Sequence, residues 1–534
     1  MAERGDRPPR TGTAAFLVAG GILASRLAGL VRQRVFSHYF GLENDAADAF
    51  TAAVRIPNIL QNLFGEGALS ASFIPVYASL VVKGDRRTAD RVAGAIAAGL
   101  ALIVSILVVV GILATPLLIG AIAPGFHGAK RDLTIQLVRI LFPGTGLLVM
   151  SAWCLGVLNS HHRFLLSYAS GVMWNLAMIG TLLLFGQEQA LPRLAMFLAW
   201  GSVAGSALQV GVQVPSVLRV APNLRFGVDL ASEHVRAVAR NFVPVFFSRG
   251  VVQLSAYVDA LLASLLPTGA PTGLANAQLL YTLPVSLFGI SVSAAELPAM
   301  SGAIEIDPSR AEAIRRRLDT ALRRIAFFVV PSAMAFLALG DVVAAGVLQT
   351  GRFRQTDARY VWGILAGSAV GLLASTLARL YASAYYAMRD TRTPLRYALV
   401  RVGLTTVLGY LFAFPLPRWL GVPAIWGAAG LTASAGLAGW VEMWMLRRTL
   451  SARIGRIGLA TDYLAKLWAA ATCGALVAWA AKLAGPTDPI AAAVVILGPY
   501  GLAFLGLTFV LRIPEASDLT ARVTGRTPRA ARES

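Results

Sequence analysis

The sequence predicts an all-α polytopic membrane protein with about fourteen transmembrane helices. Two six-helix halves are expected to surround a central cavity, with two additional helices at the C-terminal end. Three observations support this fold class: the composition, the spacing of the apolar windows and the placement of basic loops. Of the 534 residues, 56% are hydrophobic and 14% are charged. Soluble chains carry about 25% charged residues, so this chain is too apolar to fold in water.

Apolar windows long enough to cross a bilayer recur along the whole chain, since about twenty residues of helix span the hydrocarbon core. The second window is unusually long and is interrupted by proline and glycine. The predicted spans lie near residues 13–40, 46–82, 92–122, 133–158, 164–185, 194–217, 241–265, 273–302, 325–349, 358–387, 395–415, 422–446, 464–484 and 489–511.

Basic residues are concentrated in alternate loops. Lys/Arg-rich connections occur at 83–91, 219–240, 310–324, 389–396 and 447–456, and both tails are basic. Because positive loops remain in the cytoplasm, this alternation predicts that both termini are cytoplasmic. The opposite loops, such as 41–45 and 267–271, are poor in Lys and Arg.

An internal repeat predicts the domain organisation. The end of span two, Leu63-Phe-Gly followed by Phe73-Ile-Pro75, resembles the end of span eight, Leu287-Phe-Gly followed by Glu296-Leu-Pro298. Two related halves around a cavity are a common transporter plan. We therefore predict an N-terminal half at 1–220, a C-terminal half at 221–456, two further helices at 457–511 and a basic cytoplasmic tail at 512–534.

The charge balance and the absent motifs exclude several classes of function. The net charge is +20, but the basic residues lie in short loops, where they meet lipid head groups rather than nucleic acid. The sequence contains no GxxxxGK[ST] motif and no paired-carboxylate set, so we expect neither an enzyme nor a cofactor. Energy must then come from a sodium or proton gradient, the membrane potential or the substrate's own gradient.

Arginines inside an apolar span are the strongest functional signal. Each costs about 2.5–3.5 kcal/mol or more at the bilayer centre, so it usually faces a wet cavity or a partner. Span one carries Ser25, Arg26, Gly29 and Arg32, and the last three lie close to one helical face. These arginines either line a cationic cavity that suits a diphosphate, or fix the topology by snorkelling to an interface or by pairing with Asp48 and Glu66 of span two.

Span two carries a second set of polar side chains at Asp48, Arg55, Asn58, Gln61 and Glu66. Asn58 and Gln61 share a helical face, which predicts a polar cavity wall.

Span seven adds Arg249 and Asp259, an acid deep in an apolar segment. Asp259 either binds a proton or sodium ion, or neutralises an arginine such as Arg249.

The residues of spans one and two resemble the opening of the lipid II flippase family (MurJ, formerly MviN). The resemblance rests on Ser25-Arg-Leu-Ala-Gly29-Leu-Val-Arg32, Asp48-Ala-Phe50, Arg55-Ile-Pro-Asn58 and Phe64-Gly-Glu66-Gly-Ala-Leu-Ser70. That family belongs to the MOP superfamily, which also contains the MATE drug exporters. The resemblance implies a fourteen-helix MOP/MATE-like fold in the bacterial cytoplasmic (inner) membrane. It also implies alternating-access flipping of undecaprenyl-diphosphate-linked peptidoglycan precursor, and hence a role in cell-wall biogenesis and cell shape.

The resemblance further implies roles for individual residues. Arg26, Arg32 and Arg55 would bind the diphosphate together with Asn58 and Gln61. Gating or cavity roles would belong to Ser25, Gly29, Asp48, Glu66 and Arg249. The chain departs from the family at Gln61 and Leu279, where an arginine is usual; Arg249, Arg379 or Arg401 could supply the missing charge.

The resemblance also bears on ions, partners and alternatives. Asp259 aligns with a sodium-binding position, whose partners would be Thr405 and Gly409, although Gly409 offers no side-chain oxygen. Lipid II, membrane lipids and the cell-wall synthesis machinery are the expected partners. Three alternatives remain at this point: a flippase for another lipid-linked oligosaccharide, a MATE-like exporter, and a non-transporting scaffold or an enzyme of envelope synthesis.

Overall fold

The computed structural model describes residues 11–163, 166, 169–227, 229, 231–293, 296, 300, 310–483 and 486–517, and these residues contain helices but no strands. The helices are α1 (Thr11–Phe40), α2 (Asp45–Arg55), α3 (Asn58–Phe64), α4 (Glu66–Ser72), α5 (Ile74–Val82), α6 (Arg86–Ile122), α7 (Gly128–Ser160), α8 (Gly171–Phe185), α9 (Leu191–Val220), α10 (Glu233–Ser264), α11 (Ala270–Pro284), α12 (Arg310–Leu348), α13 (Gln355–Ala387), α14 (Arg392–Ala413), α15 (Pro415–Trp419), α16 (Gly427–Ile454), α17 (Thr461–Leu483) and α18 (Pro489–Val510). A π-helix, Val285–Ile290, continues α11, and a short 3-10 helix, Ala424–Trp426, precedes α16. The all-α fold class is confirmed.

Eleven helical stretches within the described residues are long and apolar enough to cross a membrane. They coincide with eleven of the predicted spans, and the chain is a multi-pass membrane protein. The other three predicted spans correspond to α1, α8 and α10, which are helical but lie outside those eleven stretches. Helix α8 is a shorter apolar helix of 15 residues, and α1 carries three arginines. Fourteen membrane crossings therefore stay a prediction.

Span two is broken into α2, α3, α4 and α5, as its proline and glycine residues suggested. Pro57 follows α2, and its fixed ring cannot continue the hydrogen-bonded helix. The next break is at Gly65, whose N–H donates to the carbonyl oxygen of Gln61 at 2.8 Å. A Cβ atom at Gly65 would lie 2.1 Å from that same oxygen, so only glycine fits this turn.

The described residues group into two compact units. Unit 1 extends to Pro271 and also includes Thr350–Arg352. One of its hydrophobic cores contains Phe36, Phe40 and Phe50. In this core Phe36 stacks on Phe40 with ring centroids 4.5 Å apart. A second core of unit 1 is built around Phe73 and Tyr77, which stack at 5.1 Å. These two cores hold α1 to α10 together and position the polar groups of the site.

Unit 2 comprises Thr272–Gln349 and the chain from Phe353 onwards. Helix α13 packs against α12 and α16 and contributes many fully buried side chains. The two C-terminal helices, α17 and α18, pack on each other and on α12. Lys482 of α17 pairs with the largely buried Asp341 of α12 at 2.5 Å, which fixes α17 to the core of this unit.

Candidate functional site

The first part of the site is the contact between α1 and α8, both in unit 1. Ser25, Gly29 and Arg32 lie along the face of α1 that meets α8. A Cβ atom at Gly171 of α8 would lie 2.9 Å from Ser25 Oγ, and one at Gly29 would lie 3.8 Å from Asn175 Oδ1. The small residues thus allow the two helices to approach closely, and this closeness brings Arg32 against α8.

Arg32 sits in an apolar environment, and no carboxylate among the described side chains forms an ion pair with it. Its Nη1 donates to Met178 Sδ at 3.7 Å, and its guanidinium carbon lies 4.9 Å from the centroid of the Trp174 ring. The Nε atom is buried and has no hydrogen-bond partner within the described residues. A sulfur contact and a cation–π contact are weak compensation for a charge removed from water. Arg32 can therefore offer its donors to an incoming anion.

Arg26 lies in different surroundings from Arg32, although both were predicted on one face. Six residues advance a helix by about 600°, so the two side chains point about 120° apart. Arg26 is exposed, as are Leu23, Leu27 and Val31 around it. The predicted set of α1 is thus divided: Arg32 is enclosed against α8, whereas the side chain of Arg26 is exposed.

Arg55 and Asp259 form the second part of the site. Arg55 ends α2 and interacts electrostatically with Asp259 and Tyr257 of α10. Arg55 also lines a small pocket with residues from the connection after α6 and from the end of α10, among them Phe126 and Ser264. Of the two roles considered for Asp259, this neighbour favours neutralisation of an arginine; the side chain of Arg249, the arginine named above, lies outside the described side chains, so both roles stay predictions.

Asp48 was predicted to have a gating or cavity role, and the structure places it in a buried ion pair. Its side chain is 0% exposed and accepts from Lys130 Nζ at 2.8 Å and from the Gly269 N–H at 2.9 Å. Lys130 also pairs with Asp45 at 3.1 Å. These contacts join the first turns of α2 and α7 to the connection after α10.

Sequence reasoning missed Lys130, the partner of Asp48. The only available signal was its charge on the side of the membrane where basic residues are scarce. Its role depends on a contact with a residue 82 positions away, which no local pattern reveals.

The remaining predicted residues have less defined surroundings. Asn58 and Gln61 are both partly buried in α3, on the broken part of span two. Glu66 begins α4 and Arg249 lies within α10, but the structure does not describe the side chain of either residue. Their predicted roles, and those of Asn58 and Gln61, stay predictions.

A buried polar network in unit 1 was not predicted. Gln209 Nε2 donates to Ser151 Oγ at 2.8 Å, and Ser151 Oγ donates to Gln213 Oε1 at 2.8 Å. Gln213 Nε2 then donates to Ser170 Oγ at 2.7 Å. The network ties α7 and α9 to the turn before α8. None of these side chains is distinguished by a pattern in the sequence, because they form a network only when the helices pack together.

Unit 2 contains the remaining residues that the sequence analysis named. Arg401 of α14 pairs with Glu442 of α16 at 3.0 Å, so its charge is compensated. Arg379 of α13 is exposed. Thr405 and Gly409 are both buried in α14, and Leu279 lies on α11.

Comparison of the sequence with known families gives a clear match. The family model described as "Lipid II flippase MurJ" matches residues 36–487. The lipid II flippase MurJ of Burkholderia cenocepacia is 30% identical over 436 residues, which cover 80% of this chain and 81% of that protein. The probable lipid II flippase MurJ of Rhizobium tropici is 28% identical over 447 residues, covering 82% of this chain and 80% of that protein.

Solved structures show the same fold. A lipid II flippase MurJ in an inward closed conformation superposes with a TM-score of 0.76 at 21% identity, covering 93% of this chain and 98% of that one. An inward-facing multidrug resistance transporter of the MATE family, in the MOP superfamily, superposes with a TM-score of 0.62 at 13% identity. That match covers 79% of this chain and 98% of the transporter. At these identities the likeness concerns the fold alone.

Proposed function

The chain belongs to the MurJ family of lipid II flippases, and from this we propose that it moves lipid II across the bacterial cytoplasmic membrane. Lipid II is here the undecaprenyl-diphosphate-linked precursor of peptidoglycan. The proposed process is transport without chemical change of the substrate, so the protein is not an enzyme. The family match over most of the chain supports the substrate, and the arginines of unit 1 support the way in which it is bound.

Arg32 is the single structural observation that best supports an anionic substrate. Its guanidinium is enclosed by Met178 and Trp174, and its Nε lacks a partner within the described residues. A planar guanidinium donates two parallel hydrogen bonds to phosphate oxygens and keeps its charge when it is desolvated. We infer that Arg32 and Arg26 bind the diphosphate, with Arg26 meeting it first because it is exposed.

Arg55 contributes in a different way, because Asp259 stands beside it. A diphosphate that reaches Arg55 must compete with the carboxylate of Asp259. We infer that this competition links substrate binding to the position of α10 relative to α2. Protonation of Asp259, or a sodium ion bound there, would release Arg55 to the substrate. Either ion, or the membrane potential acting on the substrate's charge, would then supply the energy.

The alternation of basic loops supports cytoplasmic positions for both termini. With this orientation, lipid II enters from the cytoplasmic leaflet and leaves on the opposite side by alternating access. Enzymes that consume lipid II on that outer side are the expected functional partners.

The proposal is tested by rescue of a bacterium depleted of its own lipid II flippase. Wild type, Arg26→Ala and Arg32→Gln would be compared at matched membrane levels, with Arg418→Ala, an exposed arginine of α15, as the control. We expect wild type and the control to restore growth and lipid II translocation, while both test variants fail.

Other outcomes would contradict distinct parts of the proposal. Rescue by Arg26→Ala and Arg32→Gln would overturn the arginine mechanism but leave the substrate. Failure of well-inserted wild type to translocate lipid II in membrane vesicles would overturn the substrate. The departures at Gln61 and Leu279 would then favour a flippase for another lipid-linked oligosaccharide.

A further inference from the structure

A polar strip runs along α13 in unit 2. Ser368, Ser375, Arg379 and Tyr386 are spaced by seven, four and seven residues, so they lie within about 40° of one another around the helix. The rest of α13 is mostly buried and apolar. Arg379 is exposed, and Tyr386 is 48% exposed. A membrane-spanning helix with one polar side is expected to face water or a polar ligand on that side.

Helix α11 supplies a second polar surface next to this strip. Tyr281 Oη and Ser375 Oγ share a hydrogen bond of 2.8 Å. Beside it, Gln278, one turn before Tyr281, donates from Nε2 to Thr282 Oγ1 at 3.3 Å, and Gln278 is exposed. The two helices therefore bring their polar faces together at the Tyr281–Ser375 contact.

The contact between α11 and α13 is held in place by an unusual backbone. Helix α11 continues into the π-helix Val285–Ile290. Within it, a Cβ atom at Gly289 would lie 2.9 Å from Thr376 Cγ2, so the π-helix packs directly on α13 beside Ser375. Wide π-turns inside α-helices occur frequently at functional sites. Arg379 lies one turn beyond this contact.

The charges around Tyr281 do not balance. Arg379 and Arg401 both lie within electrostatic range of Tyr281. Arg401 pairs with Glu442 at 3.0 Å, whereas no ion pair to Arg379 forms within the part of the chain that the structure describes. Among the described residues around Tyr281, two arginines thus accompany one carboxylate, and that carboxylate, Glu442, pairs with Arg401 rather than with Arg379.

Depth separates Arg379 from an ordinary interfacial arginine. The Tyr281–Ser375 contact lies twelve residues before Ala387, the end of α13, or about 18 Å along the helix. Arg379 lies eight residues before that end, about 12 Å along the helix. A side chain that only snorkels would extend towards the helix end, away from Tyr281. Because helical side chains lean towards the N-terminal end of their helix, Arg379 extends instead towards Ser375, which is hydrogen-bonded to Tyr281 of α11.

We propose that Arg379 and Tyr281 form an anion-binding site in unit 2 that accepts the diphosphate of the lipid-linked substrate. This inference rests on the proposed function and adds a site that does not involve the arginines of unit 1. The guanidinium of Arg379 provides paired donors to phosphate oxygens, and the hydroxyl of Tyr281 donates to a third oxygen when Ser375 Oγ turns its proton from the Leu372 carbonyl to Tyr281 Oη. Because Arg401 is occupied by Glu442, Arg379 is the residue of unit 2 that compensates for the uncharged Leu279.

The test measures binding and transport separately. The full-length protein in phosphatidylcholine nanodiscs would be titrated with undecaprenyl diphosphate, with undecaprenol and with phosphatidylglycerol. The variants are Arg379→Gln, Arg379→Lys and Tyr281→Phe, with Arg418→Gln as the control. Loss of a hydrogen-bonded charge should weaken binding of undecaprenyl diphosphate by about tenfold to a hundredfold in Arg379→Gln. Arg379→Lys and Tyr281→Phe should lose less, and the control should match wild type.

Each result supports or overturns the inference. A selective loss for undecaprenyl diphosphate in Arg379→Gln supports it, even if wild type fails to transport lipid II, in which case only the proposed function is overturned. Equal losses for undecaprenyl diphosphate and phosphatidylglycerol would show that Arg379 binds membrane head groups, and would overturn it. Unchanged binding by a folded Arg379→Gln protein would overturn it while lipid II transport by wild type stands.

Discussion

Replacement of Arg32 by methionine should stabilise the protein while abolishing transport. The side chain is flanked by Met178 and Trp174, and its Nε is buried without a partner in the described residues. Keeping an arginine inside an apolar span costs about 2.5–3.5 kcal/mol. The cation–π contact with Trp174 returns about 0.5–2 kcal/mol. Arg32→Met removes both and fills the space with an apolar side chain, so we expect a net stabilisation of about 1–2 kcal/mol.

Thermal unfolding of the purified protein in detergent measures this effect. The midpoint of Arg32→Met should rise by about 1–3 °C, because a given free energy shifts the midpoint less in a large chain. Lipid II translocation by the same preparation should fall to background. Arg418→Met, at an exposed position, should leave both quantities unchanged. A lower midpoint for Arg32→Met, or retained transport, would refute the view that Arg32 is held at a structural cost for its function.

Two further predictions concern charges with partners. Lys130→Met leaves Asp48 buried with an uncompensated charge, so it should destabilise unit 1 by about 3–5 kcal/mol, and the double variant with Asp48→Asn should recover most of this. Equal unfolding midpoints for the single and double variants would contradict the pairing. In the loop before α14, hydrogen bonds from Thr393, followed by the pairing with Arg453, lower the pKa of Asp390 to about 2. This pKa is below the unfolded value, so the stabilisation is complete above pH 4 and is lost only as the pH falls towards 2. Asp390→Asn should therefore lower the free energy of unfolding by less than about 1 kcal/mol, and by the same amount at pH 7 and pH 5. If the stability difference between Asp390→Asn and wild type were smaller at pH 5 than at pH 7, the lowered pKa of Asp390 would be contradicted.

Local sequence patterns identify the charged residues of the site but not the residues that interact with them. Arg26, Arg32, Arg55, Asp48 and Asp259 all stood out in the sequence because each interrupts an apolar span. The residues that interact with these charges could not be identified from the sequence. Asp259 was expected beside an arginine such as Arg249, and the structure places it within electrostatic range of Arg55, which is 204 positions away. Likewise, the sequence placed Arg32 either in a cationic cavity or at an interface, and only the structure shows that Met178 and Trp174 contact it.

The sequence by itself determined the all-α membrane fold, the approximate positions of the helices and the breaks in span two. These features depend on local quantities: the transfer free energy of consecutive side chains, and the backbone limits of proline and glycine. Only the tertiary structure decided that Asp48 pairs with Lys130, that Arg401 is neutralised by Glu442, and that no carboxylate of the described residues forms such a pair with Arg379. Charge compensation acts over a few ångströms in space, and the helices that meet at those distances are chosen by packing between segments far apart in the chain.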